Sequence, residues 1–242
     1  MKMIFWIGDS INRQNPWTTY PQTGIAQAFD RYVKRDVVIY DRAENGRSSK
    51  SYIDEGWFAP VEKELREGDF LFIQFAHNDE KKQDPSRYTE PETTFRENLK
   101  LFIDAARAHG TNPVLITPAE RKVFDEDGNL KETGHTPYVE AIKKAGEDFE
   151  VPVIDLFTLS REFLTKLGPV DSKKYYMNLE PGEYENYPEG VKDNSHLRYE
   201  GALVYGKMIA EELQKLGGIY ADLIYDESDD NDPFAHLGGK EL

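Results

Sequence analysis

Ser10 follows an unbroken apolar run, Met3–Ile7, and sits in Gly8-Asp9-Ser10 with Asn12 close behind. That run is too short for a helix and has the character of a strand buried on both faces. A buried strand ending in Gly-Asp-Ser delivers a hydroxyl to the carboxyl edge of a sheet, where open α/β folds bind ligands. The chemistry such a serine can do is nucleophilic attack on an ester. Its hydroxyl alone is a weak nucleophile. It needs a base to take its proton, a group to orient that base, and donors for the oxyanion that forms.

Histidine is the usual base, and the chain holds five: His77, His109, His135, His196 and His236. His109 ends an amphipathic stretch, where it complements a helix dipole. His135 falls in a polar loop and His236 in a tail. Of the two that remain, His196 has the richer context, Gly190-Val-Lys-Asp-Asn-Ser-His-Leu-Arg198, with Asp193 three residues before it. In a tight turn or a first helical turn, side chains three apart share a face. A carboxylate there can bond one ring nitrogen and leave the other for a serine. Spacing alone does not separate this from a turn-capping aspartate beside a surface histidine. Asn78 follows a second apolar run, Phe70–Ala76, as Ser10 follows the first. Its amide is a candidate oxyanion donor and equally a turn asparagine. Gly46 offers a backbone N–H that a ligand can approach closely, or is an ordinary loop glycine.

The elements that would position these groups alternate. A helix is expected near Gly24–Lys34, with Ile25, Phe29, Tyr32 and Val33 as its apolar stripe, then a strand at Val37–Tyr40. Asp41–Ser51 reads as a polar loop leading into one helix that ends near Arg66. Phe70–Ala76 is the third strand, Phe95–His109 an amphipathic helix stopped by Gly110, and Pro113–Thr117 the fourth strand. Glu120–Thr136 reads as a loop with a turn at Asp127-Gly128. A helix then starts at Pro137, with Thr136 as its cap, and runs to about Phe149. Val151–Leu156 is the fifth strand, followed by a short helix at Thr158–Leu167. Gly168–Lys192 shows no clear period, and a last helix covers Tyr199–Leu216. Strands alternating with helices imply α/β architecture: one three-layer α/β/α sandwich around a five-stranded parallel sheet with right-handed crossovers, flavodoxin-like. Residues 1–220 are expected to form the domain, and residues 221–242 an acidic, partly disordered extension.

With 242 residues the chain can bury the core of one large domain. A formal charge of −15 argues against nucleic acid and anionic membrane surfaces as partners. The lack of cysteine excludes disulfides, thiol nucleophiles and thiolate metal sites. The nearest two histidines, His109 and His135, are 26 residues apart, so no metal or cofactor is expected. No apolar run reaches membrane-spanning length, and no export signal precedes the first strand, so a cytoplasmic location is expected. Oligomeric state cannot be read from the sequence.

Gly8-Asp9-Ser10, Gly46 within Asn45-Gly-Arg-Ser-Ser49, His77-Asn78-Asp79 and Asp193-x-x-His196 occur in that order. The set resembles the SGNH (GDSL-type) hydrolase superfamily, whose four blocks supply Ser, Gly, Asn and His. The resemblance covers Met1 to about Leu216. The stretches NGRSS, FAHND, TPAERKVFDEDG and LEPGEYENYPEGVKDNSHL are similar to its rhamnogalacturonan acetylesterase branch. One departure is Ala76, where that branch often has Gly; as strand backbone it is expected to matter little. The resemblance implies that Ser10 attacks an ester carbonyl, that His196 is base and then acid, and that Asp193 orients it. It implies an oxyanion hole made by the N–H groups of Ser10 and Gly46 and the Asn78 side chain, with no metal. It also implies deacetylation of pectin-derived oligosaccharides. Asp9 and Asp79 are expected to brace loops. His77 is a candidate to line the pocket, a packed or hydrogen-bonded role being the alternative. Trp17, Tyr20, Trp57 and Phe58 are candidates to stack on sugar rings. Arg47, Lys50, Arg121 and Arg198 are candidates to offset repulsion of an acidic substrate, or are solvated surface charge. Alternatives on the same fold are an acetylxylan esterase and a lipid or thioester hydrolase, the latter calling for an apolar groove; a flavodoxin-like binding module would call for a phosphate-cradling glycine loop. Neither GxGxxG nor GxxxxGK[ST] is present, and no GxSxG elbow is present.

Overall fold

The computed structural model describes residues 1–225. In chain order the elements are β1 (Lys2–Gly8), α1 (Ile25–Ala28), β2 (Val37–Asp41), α2 (Ser49–Asp54), α3 (Phe58–Glu64), β3 (Phe70–Gln74), α4 (Arg96–Ala108) and β4 (Asn112–Ile116). They continue with α5 (Thr136–Asp148), β5 (Val153–Ile154), α6 (Leu156–Asp171), β6 (Tyr176–Leu179), β7 (Val191–Leu197), α7 (Tyr199–Leu216) and α8 (Gly218–Ala221). Five parallel strands form one sheet in the order β2-β1-β3-β4-β5, and β6 and β7 form a separate antiparallel pair.

The strand period of two sorts β1 between two cores. Ile4 and Trp6 face a cluster with Phe29, Phe72, Tyr205 and Ile209, under α1 and α7. Phe5 and Ile7 face the opposite cluster with Tyr52, Phe75, Phe102 and Ile142, under α2, α4 and α5. The result is the expected three-layer α/β sandwich, with β3 in the middle of the sheet and β1 beside it. Among the described residues, no helix is long and apolar enough to cross a membrane.

Several boundaries differ from expectation, each for a local reason. The helix expected at 24–34 stops after Ala28 and tightens into a 3-10 turn over Phe29–Arg31. Beyond it, Val33 pairs with Ile224 and the Lys34 N–H bonds Leu223 O, which pulls the chain out of helical geometry. The single helix expected before Arg66 is two, α2 and α3, separated by Gly56 in the left-handed region at φ 80°. The fifth strand is only two residues long. The short helix at 158–167 starts earlier and runs on as α6 through a kink at Gly168, φ 71°, where Pro169 follows. The segment 168–192, read as lacking period, contributes β6 and begins β7. Leu223 and Ile224 are buried in the first core, so packing continues past the expected boundary at 220. The rest of the acidic extension lies outside the described residues.

Candidate active site

Ser10 leaves the carboxyl end of β1 through a tight turn. The Asp9 carboxylate accepts the Ile11 N–H at 3.0 Å, and Asp9 O accepts the Asn12 N–H at 3.1 Å. Gly8 is required here by close packing: a Cβ at this position would lie 2.5 Å from Asn12 Nδ2 and 2.6 Å from Gln74 O. The turn leaves the Ser10 hydroxyl 2.8 Å from His196 Nε2. His196 Nδ1 in turn lies 2.6 Å from Asp193 Oδ2. With the ring proton on Nδ1, His196 donates to Asp193 and accepts from Ser10.

Asp193 and His196 do not sit in a helical turn. They belong to β7, where a three-residue spacing would normally put side chains on opposite faces. The ladder solves this with a bulge: Tyr176 pairs with Leu197 and Asn178 with Lys192, so Asp193–His196 face the single residue Met177. Asp193 holds the bulge closed with its second oxygen, which accepts the N–H groups of Ser195 at 2.7 Å and His196 at 3.0 Å. The Asn178 amide bonds Asp193 O at 2.7 Å, and the Lys122 N–H bonds Asn194 O at 2.9 Å. Burial pushes the Asp193 carboxyl up. The His196 bond and charge and the two N–H donors outweigh it and bring the pKa down to about 2.

The candidate oxyanion donors converge on the same edge. The Asn78 amide nitrogen donates to Arg47 O at 3.1 Å, which ties the loop after β3 to the loop that carries Gly46. Gly46 adopts φ 72°, a conformation that favours glycine. Among the described residues, no backbone acceptor bonds the N–H of Ser10 or Gly46. Asp79 braces the two loops from beneath. Fully buried, it accepts the Ser49 N–H, the Ser49 hydroxyl at 2.5 Å and the Thr89 hydroxyl at 3.0 Å. Burial dominates these donors and pushes its carboxyl up to about 7.

The candidate substrate contacts are more dispersed. Arg47 spends its guanidinium on Glu55, at 2.6 Å, so only its carbonyl reaches the site. Trp57 donates to the same Glu55 at 3.0 Å. It lines a cleft of about 350 Å³ with Arg13, Asp41, Arg42 and Tyr52, on the β2 side of the nucleophile loop. Trp17 is 80% exposed and is tied through its carbonyl to Asn186. Among the described residues, no hydrogen bond or ring contact joins Trp17 or Trp57 to Ser10, Asn78 or His196. Phe58 is a core residue and stacks on no surface. His77 takes the packed alternative. It is buried, with Nδ1 3.3 Å from Asp9 Oδ2 and its ring edge-on to His135 at 4.4 Å. Burial pushes the Asp9 carboxyl up, but the nearby His77 and the Ile11 N–H outweigh it and hold the carboxyl below its usual range.

A second polar chain behind the site was not legible. His135, read as a loop residue, is fully buried and bonds Glu80 at 2.8 Å through Nδ1. Burial and the neighbouring His77 lower its pKa to about 4, against the pull of Glu80. Glu80 also pairs with Arg121, which bonds Ser195 Oγ at 3.2 Å and His77 O at 3.3 Å. Arg121 therefore holds the histidine bulge to the Asn78 loop, a structural post rather than free surface charge. Arg198 is paired with Glu183, and Lys50 bonds Pro85 O. The signal available in the sequence was the charged run Asp79-Glu80-Lys81-Lys82 beside a proposed donor.

Comparison with known proteins places the chain in a family. Residues 6–178 match the GDSL-like lipase/acylhydrolase family, a span that includes the Ser10, Gly46 and Asn78 blocks and ends before Asp193. The chain is 36% identical over 214 residues to the rhamnogalacturonan acetylesterase RhgT of Bacillus subtilis strain 168, covering 88% of this chain and 90% of that one. It is 32% identical to the probable rhamnogalacturonan acetylesterase YesY of the same organism, covering 88% and 93%. Among solved structures, protein YxiM of Bacillus subtilis superposes with a TM-score of 0.75 at 23% identity, over 89% of this chain and 57% of that one. The chain belongs to the GDSL-like lipase/acylhydrolase family and is a hydrolase of the SGNH fold.

Proposed function

We propose that the protein is a serine acetylesterase that removes O-acetyl groups from rhamnogalacturonan-type, pectin-derived oligosaccharides. The observation that carries the proposal is the unbroken path from Asp193 through His196 to Ser10, with links of 2.6 and 2.8 Å. In this reading Ser10 Oγ attacks the acetyl carbonyl carbon while His196 Nε2 takes its proton. Asp193 keeps the ring in the acceptor tautomer and stabilises the imidazolium. The N–H groups of Ser10 and Gly46 and the Asn78 amide receive the oxyanion. The bond from the acetyl carbon to the sugar oxygen then breaks, and that oxygen takes the proton from Nε2. Water attacks the acetyl-serine, again losing a proton to His196, and Ser10 departs with that proton as acetate is released.

The identity to two relatives named for rhamnogalacturonan acetyl esters supports the substrate class. Two measurements test the proposal. Ser10→Ala is expected to lower hydrolysis of a chromogenic acetate by about a thousandfold or more, and unchanged rates would end the nucleophile assignment. Acetate release is expected to be faster from acetylated rhamnogalacturonan oligosaccharides than from acetylated xylan. The reverse order would overturn the substrate assignment and leave the esterase standing.

A further inference from the structure

The loop after β3 turns tightly at Asn78, with the Lys81 N–H bonded to Asn78 O at 3.3 Å. This turn places the Lys81 ammonium 2.7 Å from the amide oxygen of Asn78. Arg87 Nη1 approaches the same oxygen at 3.4 Å and Gly46 O at 3.4 Å. Lysine at a partly buried position normally finds a carboxylate. Lys81 is half-buried, and among the described residues no carboxylate lies within ion-pair distance of it. Its hydrogen-bond acceptor is a neutral amide, the one that the proposed mechanism uses as an oxyanion donor.

We propose that Lys81, seconded by Arg87, is a positioning residue that fixes and polarises the Asn78 amide as an oxyanion donor. Two consequences follow from elementary chemistry. An asparagine amide has two orientations of nearly equal shape, and only its partners decide between them. With cations on Oδ1 and a carbonyl on Nδ2, the flipped amide would set NH₂ against ammonium and oxygen against oxygen. The donor therefore stays aimed at the site. A cation on the carbonyl oxygen also favours the resonance form with charge on nitrogen, so the remaining N–H is a stronger donor to a developing negative oxygen. Both effects act on the transition state more than on the ground state, where the ester carbonyl carries little charge. Crowding is visible in the ammonium itself: burial, with Arg87 and Arg121 nearby, lowers its pKa.

The inference rests on the esterase reading, and the test separates the two. Lys81→Met is expected to lower kcat on a neutral chromogenic acetate about 10- to 100-fold, the range for one charge-assisted hydrogen bond, with KM nearly unchanged. Lys81→Arg is expected to restore most of that loss while leaving the melting temperature near wild type. In an Asn78→Ala background, Lys81→Met is expected to cost little more, because its effect passes through the amide. An unchanged kcat on the neutral ester would overturn the proposal. So would a loss confined to KM on acidic oligosaccharides, which would make Lys81 a substrate-charge contact, or a full loss persisting without Asn78. If the wild type shows no Ser10-dependent hydrolysis, the esterase reading falls and takes this proposal with it. Ser10-dependent hydrolysis indifferent to Lys81 overturns this proposal alone.

Discussion

The two halves of the site are built differently. The half proposed to supply the nucleophile and the donors comes from the ends of β1 and β3, inner strands of the parallel sheet, and it is buried: Asp9, Asn78 and Asp79 are 1%, 4% and 0% exposed. The half proposed to supply the base is a bulge in a two-stranded ribbon outside that sheet, and the side chains of His196 and Asp193 are 30% and 31% exposed. Each half contains an aspartate that holds a loop by accepting backbone N–H groups, yet their carboxyls move in opposite directions. Burial wins at Asp79 and pushes it up to about 7; the His196 partner wins at Asp193 and brings it down to about 2. Donors for an oxyanion work best when rigid and dry. In the proposed mechanism the base passes protons to a sugar oxygen and to water, and the partly exposed bulge leaves it that access.

The largest expected effect breaks the base half without breaking the fold. Asp193→Asn retains an oxygen for the N–H groups of Ser195 and His196, but presents NH₂ to His196 Nδ1 and forces the other tautomer. The expected fall in kcat is about 10³- to 10⁴-fold with little change in melting temperature. A loss below tenfold would mean that the tautomer is set elsewhere.

A stability measurement tests the other half. A carboxyl raised by the fold contributes stability that is fully present below its unfolded value of 3.8 and is lost as pH rises through about 7. The lowered Asp193 does the reverse: its contribution is present above 3.8 and is lost as pH falls towards 2. The melting-temperature advantage of wild type over Asp79→Asn is therefore expected to shrink between pH 4 and about pH 7. An advantage that grows over that interval would show that the Ser49 and Thr89 donors, not burial, govern this carboxyl.

The same division explains what could be read from sequence. Ser10 and Asn78 end long apolar runs whose both-face burial is a local property, so their place at one sheet edge followed from pattern alone. The bulge did not. Its residues alternate no better than loop residues, because four of them face one partner and the period is broken where the chemistry sits. His196 was found through its spacing to Asp193, while the local structure expected for that spacing, a tight turn or a first helical turn, is instead a bulged strand. His135 does lie in a loop, but its burial was not legible, because its partners Glu80, His77 and Phe157 are distant in sequence. Gly56 breaks an expected helix by taking positive φ, which glycine permits but does not announce.

The smallest expected effect concerns a position first read as indifferent. Ala76 lies just beyond β3, next to His77, and holds φ at 146°, a backbone region that side-chain-bearing residues rarely adopt. Its methyl is fully buried in the second core. Such a conformation costs about 1–3 kcal/mol in a non-glycine residue. Ala76→Gly relieves that strain but gives up about 0.4–1 kcal/mol through a freer unfolded chain and about 0.8 kcal/mol of methyl burial. The balance runs from about 1 kcal/mol of destabilisation to about 2 kcal/mol of stabilisation, a change in melting temperature of at most several degrees. Activity should change little, because Asn78 is aimed by its partners Arg47, Lys81 and Arg87 rather than by tension in the strand end. A stabilised variant with a much lower kcat would mean that the donor half is held in place by stored strain, and would make the two halves more alike than their burial suggests.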